Sequence, residues 1–157
     1  MLGERLDQAI TLAKRNEKQV AVLLLDLDRF KGINDRFGHS TGDTILCEVA
    51  SRIGGLLRAS DTACRYGGDE FVIVLPDIQD IESALTVAQK IGFELARPYL
   101  IGVREVIVTA SIGMAFYPRD GANCRDLVDW ADKTMYGDKA RPSGKERLDA
   151  GAPPANS

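Results

Sequence analysis

Two short acidic segments flank apolar runs and hold the side chains best suited to metal and phosphate chemistry. Asp26 directly follows one continuous apolar run, and Asp69 and Glu70 stand just before a second run, which Pro76 ends. A charge at the end of a buried strand is costly unless it is paired or bound to a metal. Mg²⁺ usually takes only one or two protein carboxylates and completes its shell with water and substrate phosphates. The pattern therefore predicts phosphate chemistry on a bound metal ion.

Strand geometry leaves the set of metal ligands open. Asp26 and Asp28 lie two residues apart at a strand end, so they share one face while Leu27 points to the other. If the two acidic strands are neighbours, Asp26 comes close to the carboxylates of Asp69 and Glu70. Adjacent residues of a regular strand point to opposite faces, so spacing alone does not decide between Asp69 and Glu70. For any single carboxylate, the alternative is a solvated turn or strand-end residue.

Hydrophobic periodicity predicts the elements that position these carboxylates. Gly67 and Gly68 lie between two β-prone segments and predict a two-residue hairpin turn, because both turn positions need φ > 0. Thr41 is predicted to cap the third helix. The element order predicts an α+β fold with a central, mostly antiparallel sheet flanked by helices and a ferredoxin-like topology. The other predicted helices lie at about 2–17, 29–38, 80–96 and 123–139, and the strands at about 20–25, 62–75 (the hairpin), 98–101 and 104–117, the last two turning at Gly102-Val103.

Composition argues against several classes of function. The chain has 157 residues, the length of one domain, and its net charge of −3 argues against a general nucleic-acid binder. The three cysteines form no Cys-x-x-Cys pair and there is a single histidine, so neither a zinc site nor a disulfide framework is expected. The sequence shows no apolar run of about eighteen residues, the length that a transmembrane helix needs, and no signal peptide. We therefore expect a cytoplasmic domain that makes no membrane contact.

Two longer motifs, taken together, closely resemble those of the GGDEF-domain diguanylate cyclases. They are Arg65-Tyr-Gly-Gly-Asp-Glu-Phe71 and the run from Leu25 to Asp43, which reads LDLDRFKGINDRFGHSTGD, and the resemblance covers about residues 20–140. It implies the palm-like fold of the nucleotidyl cyclases. It also implies that two GTP molecules are condensed into cyclic di-GMP and pyrophosphate with Mg²⁺ or Mn²⁺. Each domain would offer half a site, so activity implies a transient antiparallel homodimer.

The resemblance implies roles for the acidic residues and for one lysine. Asp26 would bind the metal, assisted by the backbone carbonyl of Leu27. Asp69 would be a second ligand and the proton acceptor for the 3′-hydroxyl group, and Glu70 would support the metal site. Lys31 would stabilise the charge that develops on the phosphates.

Other matched residues are implied to bind the nucleotide. Asn34 and Asp43 would read the guanine edge, since a carboxylate that accepts from the N1 and N2 amines of guanine rejects adenine. Backbone amides around Arg29 and Phe30, at the start of a helix, would cradle phosphates. Lys139 matches a phosphate-binding lysine of the last helix. Without the motif, each of these would be read as an ordinary surface or helix-end residue.

A short motif and two departures complete the resemblance. Arg58 and Asp61 stand at the spacing of the family's RxxD site, which binds cyclic di-GMP as an inhibitor; the alternative is an arginine at a helix C-terminus followed by a turn aspartate. Ser143 stands where the family has a second basic phosphate contact, and the family's Asp-x-Leu-Thr start is missing. We therefore predict a shortened GGDEF domain over 1–148 and a disordered tail over 149–157. The alternatives to the enzyme are a catalytically weak module that binds GTP or cyclic di-GMP, and a different nucleotidyl cyclase.

Overall fold

The computed structural model of the protein describes residues 2–140, with side chains described through Met135. Over this part of the chain, helices and strands follow one another in the order that the sequence predicts. None of the helices within it is long and apolar enough to cross a membrane. The elements are α1 (Leu2–Asn16), β1 (Gln19–Leu27), α2 (Phe30–Phe37), α3 (His39–Gly54), β2 (Thr62–Arg65), β3 (Glu70–Ile78), α4 (Ile81–Leu95), β4 (Tyr99–Ile101), β5 (Arg104–Val106), β6 (Ala110–Tyr117) and α5 (Cys124–Ala140).

Four strands form one antiparallel sheet in the order β2-β3-β1-β6. The strand β1 lies inside the sheet, between β3 and β6, so both neighbours can place residues beside its end. The segment from β1 to β6 follows the ferredoxin-like β-α-β-β-α-β path, because α2 and α3 cross over from β1 to β2 and α4 crosses over from β3 to β6. The predicted α+β fold with a central antiparallel sheet is confirmed. β4 and β5 form a separate hairpin that turns at Gly102, where φ is 67°, as predicted.

Two apolar layers cover the two faces of this sheet. Alternate residues of β1 enter different layers, which explains why its sequence is a continuous apolar run. One layer includes α1 and α5, and the other includes α3 and α4. The first layer takes Val20, Val22 and Leu24 from β1, whereas the second takes Ala21, Leu23, Leu25 and Leu27.

Close packing fixes α5 against the edge strand β6. A Cβ atom at Gly113 would overlap the backbone carbonyl of Ala131, so only glycine allows the helix to come this near. The hydroxyl of Thr134 accepts from the backbone N–H of Met114 at 3.1 Å and lies 2.9 Å from the carbonyl of Ala131. The helix thereby satisfies a backbone group on the outer edge of β6, which would otherwise be an unpaired sheet edge.

The predicted two-residue turn between β2 and β3 is wrong. β2 ends at Arg65 and β3 begins at Glu70, so four residues form the connection. Neither Gly67 nor Gly68 has φ in the left-handed region. The backbone N–H groups of Tyr66 and Gly67 donate instead to the carbonyl of Glu70, at 2.7 and 3.3 Å. These two hydrogen bonds close a wider loop without the left-handed geometry of a two-residue turn.

Two further boundaries differ from the prediction. α3 begins at His39 after Gly38, where φ is 96°, and no side chain caps it, so Thr41 lies inside the first turn. The predicted strand 104–117 is divided between β5 and β6 by residues 107–109. Apolar residues continue at every second position through this linker, at Val106, Val108 and Ala110, so periodicity could not show that the chain changes sheets there.

Candidate active site

Antiparallel pairing of β1 and β3 brings the two acidic segments together. Asp26 is paired directly with Glu70, and residues directly opposite each other in such a pair have their side chains on one face. Both side chains are half-buried. The backbone N–H of Leu27 donates to the carbonyl of Asp69 at 3.1 Å. The loop residue Asp69 is therefore attached to the end of β1, next to the paired carboxylates.

The two neighbouring acidic residues occupy different positions. Glu70 is the first residue of β3, on the face of Asp26, whereas Asp69 belongs to the loop before it. A Cβ atom at Gly67 would lie 2.9 Å from Oε1 of Glu70, so the glycine leaves room for this carboxylate. Arg65 holds the loop in place by donating from Nε to the carbonyl of Gly67 at 3.1 Å and from Nη2 to that of Gly68 at 2.7 Å.

A strained turn links the end of β1 to α2. Arg29 has φ 56° and ψ 32°, in the left-handed region, although it is not glycine. Such backbone costs about 1–3 kcal/mol and occurs at ligand-binding sites when the surroundings impose it. α2 follows with Phe30, which is buried, and with Lys31, which is exposed in the first turn. The first amides of a helix have no partner within it, so this turn offers N–H groups and a positive dipole to an anion.

Close contact between α2 and α3 brings Asn34 against Gly42, the residue that precedes Asp43. The side chain of Asn34 lies over Gly42, where a Cβ atom would overlap its Oδ1. This Oδ1 is buried and accepts no hydrogen bond from any residue that the structure describes. A buried polar atom without a partner costs about 1–3 kcal/mol, so a ligand that donates there would repay the cost. Asp43, the next residue after Gly42, is exposed.

Strand spacing predicts that Asp28 shares a face with Asp26, but in the structure its carboxylate binds a different segment of the chain. Its carboxylate accepts hydrogen bonds from Thr109 Oγ1 and Ser111 Oγ, both at 2.7 Å. Its backbone N–H donates to the carbonyl of Thr109 at 2.8 Å. Sequence reasoning missed Thr109 and Ser111, and the only signal was that both are polar residues of a strand pattern.

The donor set at this end of the sheet fits a hard divalent cation. Asp26 and Glu70 place carboxylate oxygens on one face, beside the loop that holds Asp69. Within residues 2–135, no three or more His, Cys, Asp or Glu side chains are grouped as a cage that could hold a metal ion. Mg²⁺ does not need such a cage, because it keeps several waters and takes further oxygens from substrate phosphates.

The RxxD residues lie elsewhere, on the segment between α3 and β2, and they bind each other. Arg58 Nη2 lies 2.9 Å from Asp61 Oδ1, and the backbone N–H of Arg58 donates to Asp61 Oδ2 at 2.8 Å. The same Nη2 also donates to the carbonyl of Pro76 at 3.0 Å. The hydrogen bond to Asp61 raises the pKa of Arg58. A groove of about 430 Å³, with a partly apolar wall that includes Phe71, runs beside the pair.

The remaining predicted contacts fall at the end of the described chain. Lys139 belongs to α5, but its side chain lies outside the described part of the structure. Ser143 and the predicted disordered tail 149–157 also lie outside the described residues.

Comparison with known proteins matches almost the whole chain to one family. The family model for "Diguanylate cyclase, GGDEF domain" matches residues 1–146. The bifunctional diguanylate cyclase/cyclic di-GMP phosphodiesterase MucR of Pseudomonas aeruginosa is 46% identical over 136 residues, which are 87% of this chain and 20% of MucR. Diguanylate cyclase TpbB of the same species is 40% identical over 145 residues, which are 92% of this chain and 33% of TpbB. The chain thus spans between a fifth and a third of the length of these relatives.

Solved structures share the fold over most of the chain. The crystal structure of the GGDEF domain of TpbB has a TM-score of 0.84 and 40% identity, covering 86% of this chain and 84% of that one. The GGDEF domain of DgcB from Caulobacter crescentus, in complex with c-di-GMP, has a TM-score of 0.78 and 30% identity, covering 87% of this chain and 81% of that one. The match of the family model and these likenesses agree with the carboxylates of β1 and β3: the chain belongs to the GGDEF-domain family of diguanylate cyclases.

Proposed function

We propose that this domain condenses two GTP molecules into cyclic di-GMP. The 3′-hydroxyl of each nucleotide attacks the α-phosphate of the other, so two phosphorus–oxygen bonds form and two pyrophosphates leave. The observation that carries the proposal is the direct pairing of Asp26 with Glu70, at the strand end that leads through a left-handed turn into α2. That arrangement puts carboxylates and a helix N-terminus at one place, as a nucleotide with a metal requires.

The carboxylates of β1 and β3 would hold Mg²⁺ or Mn²⁺, with Asp26 and the carbonyl of Leu27 on β1 and with Asp69 and Glu70 on the other side. When bound, the ion lowers the pKa of the attacking hydroxyl and neutralises charge on the leaving pyrophosphate. Asp69 stands in the loop attached to the backbone of Leu27. We assign it the acceptance of the 3′-hydroxyl proton, in addition to its role as a ligand.

The helices α2 and α3 would bind the rest of the nucleotide. Asn34 and Asp43 would accept hydrogen bonds from the guanine edge, which supplies donors where adenine does not. The unpartnered Oδ1 of Asn34 supports this role. The amides of Arg29 and Phe30 would bind phosphate oxygens, and Lys31 would stabilise their charge from the first turn of α2. Lys139 would add a second positive charge.

One domain positions one nucleotide, so the reaction requires a second copy. Two domains facing each other antiparallel would bring each 3′-hydroxyl to the α-phosphate held by the partner. Holding both reactants in this way replaces a bimolecular encounter by a bound geometry. The initial rate should therefore rise more steeply than the protein concentration until the dimer is saturated.

Product identification with two matched variants tests the proposal. The purified chain is incubated with GTP and Mg²⁺ at concentrations that favour a dimer, and the nucleotides are separated by chromatography. Asp26→Asn should abolish cyclic di-GMP formation because it removes a metal ligand. Asp77→Asn is the control: it makes the same chemical change at an exposed residue at the other end of β3, where φ is 59° and asparagine is well tolerated. A wild-type rate in Asp26→Asn would contradict the proposed site.

One relative favours a second candidate function. NbdA of Pseudomonas aeruginosa, 39% identical over 123 residues, is named a cyclic di-GMP phosphodiesterase and not a cyclase. A protein that contains a segment similar to this chain can thus be named for a different activity. The corresponding candidate here is a module that binds GTP or cyclic di-GMP with little turnover. Tight binding of either nucleotide without product formation would select it.

Product inhibition at Arg58 and Asp61 is a further part of the proposal. Cyclic di-GMP would replace the contacts that the two side chains now make with each other. The side chain of Arg58 is more than half exposed, at 57%, whereas the side chain of Asp61 is 3% exposed. Arg58 can therefore turn towards a ligand more easily than Asp61 can.

A further inference from the structure

The second carboxylate at the end of β1 serves a different neighbour from the first. Asp26 is paired with Glu70 on β3, whereas Asp28 accepts from the hydroxyls of Thr109 and Ser111, in and just before β6, at 2.7 Å each. Oxygen–oxygen hydrogen bonds to a carboxylate of this length are the strong, charge-assisted kind. Each carboxylate oxygen of Asp28 thus accepts one hydrogen bond from the segment that leads into β6, on the other side of β1 from β3.

The backbone around Asp28 is fastened on both sides. The N–H of Leu27 donates to the carbonyl of Asp69 at 3.1 Å, towards β3, and the N–H of Asp28 donates to the carbonyl of Thr109 at 2.8 Å, towards β6. The strained Arg29 follows at once. Left-handed backbone at a residue other than glycine persists only when its surroundings impose it. The side-chain hydrogen bonds of Asp28 are restraints on the residue directly before that turn.

Ser111 connects this network to the proposed ligand. It lies opposite Asp26 in the pairing of β1 with β6, yet its hydroxyl is 2.7 Å from Asp28. A serine hydroxyl has a single proton to donate. Asp28 therefore takes the proton of the nearest hydroxyl donor on β6, and that proton is not spent on the carboxylate that would hold the metal.

We propose that Asp28 is a positioning residue of the cyclase site. Its hydrogen bonds to Thr109 and Ser111 fix the segment 26–29, so that the carboxylate of Asp26 and the carbonyl of Leu27 face the metal and the amides of Arg29 and Phe30 face the phosphates. The proposal rests on the proposed function. Removing a group that orients metal ligands from outside the ligand shell typically changes metal affinity or activity by about 10- to 100-fold.

The test measures metal dependence apart from turnover. Binding of a non-hydrolysable GTP analogue is followed calorimetrically over a series of Mg²⁺ concentrations, together with the melting temperature and with kcat and KM for GTP. Asp28→Asn keeps the shape of the side chain but replaces one acceptor oxygen by an NH₂ group, which cannot accept from the hydroxyl that faces it. Asp77→Asn is the matched control. Ser111→Ala and Thr109→Val each remove one hydrogen bond and leave the carboxylate in place.

We expect Asp28→Asn to raise the Mg²⁺ concentration for half-maximal analogue binding by about tenfold and to lower kcat by a similar factor, with Asp77→Asn unchanged. Ser111→Ala should shift the same midpoint less, and adding it to Asp28→Asn should shift the midpoint no further, because both changes break one network. An Mg²⁺ midpoint that stays at the wild-type value in Asp28→Asn would overturn the proposal, whatever happens to the melting temperature.

The remaining outcomes separate the two proposals. If Asp28→Asn does not fold, Ser111→Ala and Thr109→Val decide by the same midpoint. If the wild-type chain binds the analogue with Mg²⁺ but makes no cyclic di-GMP, the proposed catalysis fails and the midpoint of Asp28→Asn still decides the role of Asp28. Analogue binding that does not depend on Mg²⁺ in the wild-type chain overturns both.

Discussion

Replacing Asn34 with alanine should weaken binding of GTP and leave the stability of the fold nearly unchanged. In this structure Oδ1 of Asn34 is buried and accepts no hydrogen bond from the described residues. Most substitutions of a half-buried residue lower stability. Here the change removes a polar atom that has lost its water and gained no partner, so the usual penalty is offset.

The expected magnitudes follow from the cost of such an atom. Leaving a buried acceptor unpaired costs about 1–3 kcal/mol, and a guanine donor recovers that cost on binding. Asn34→Ala should therefore weaken GTP binding by about 5- to 150-fold, since each 1.4 kcal/mol is about tenfold in affinity. The free energy of unfolding should change by less than about 1 kcal/mol, because loss of packing over Gly42 opposes the relief of the unpaired atom. Binding of ATP should change much less than binding of GTP.

Gly42→Ala provides the contrasting variant. It keeps Asn34 but places a Cβ atom where Oδ1 now lies, in a buried position. Overpacking of this kind costs about 1–3 kcal/mol, so this variant should lose both stability and GTP affinity.

Calorimetric titration with non-hydrolysable GTP and ATP analogues, together with unfolding in urea, measures both quantities. Equally tight binding of the GTP analogue by Asn34→Ala and by the wild-type chain would contradict a hydrogen bond between guanine and Asn34 Oδ1. So would a loss of stability in Asn34→Ala to the same extent as in Gly42→Ala.

Three other predictions concern regulation and stability. Arg58→Ala should leave the initial rate unchanged and make the reaction insensitive to added cyclic di-GMP, and undiminished inhibition in progress curves would contradict this. Arg52→Ala should lower the free energy of unfolding, measured in urea, by about 2–4 kcal/mol. The guanidinium of Arg52 donates to three backbone carbonyls at 2.8–3.0 Å and stacks on Tyr99 at 3.8 Å. A loss below about 1 kcal/mol would contradict a stabilising role for these contacts. Burial raises the pKa of Tyr99 above its ordinary value of 10.0. The folded state therefore favours the neutral hydroxyl, and this contribution to stability is complete below about pH 10 and is lost as the pH rises through the folded-state pKa. Unfolding in urea at increasing pH should show a smaller alkaline loss in Tyr99→Phe, and identical pH profiles would contradict the assignment.

The sequence was sufficient for the central strands and for the meeting of the acidic segments. A continuous apolar run predicts a strand covered on both faces, and β1 has an apolar layer on each side. Charges at the ends of two such runs predict a common site once the strands pair, and Asp26 is indeed opposite Glu70. These features depend on burial and on the two-residue period of strands, and both can be recognised from residues that are close together in the sequence.

Other features depend on neighbours that are distant in the sequence. Spacing could not show that Asp28 is bound by hydroxyls more than eighty positions away, at Thr109 and Ser111. It also could not show that Arg29 is left-handed, because tertiary restraints and not residue preference impose that backbone. The two glycines of the β2–β3 loop suggested a tight turn by local preference, whereas the carbonyl of Glu70 holds a wider one.

The stoichiometry of the reaction decides whether this domain joins two GTP molecules into cyclic di-GMP. GTP consumed, cyclic di-GMP formed and pyrophosphate released are quantified together by chromatography, with Mg²⁺ and a dimer-favouring concentration of the chain. We expect one cyclic di-GMP and two pyrophosphates for every two GTP, and no conversion by Asp26→Asn. GTP left intact, a product formed from a single GTP, or an unchanged yield with Asp26→Asn would contradict this expectation.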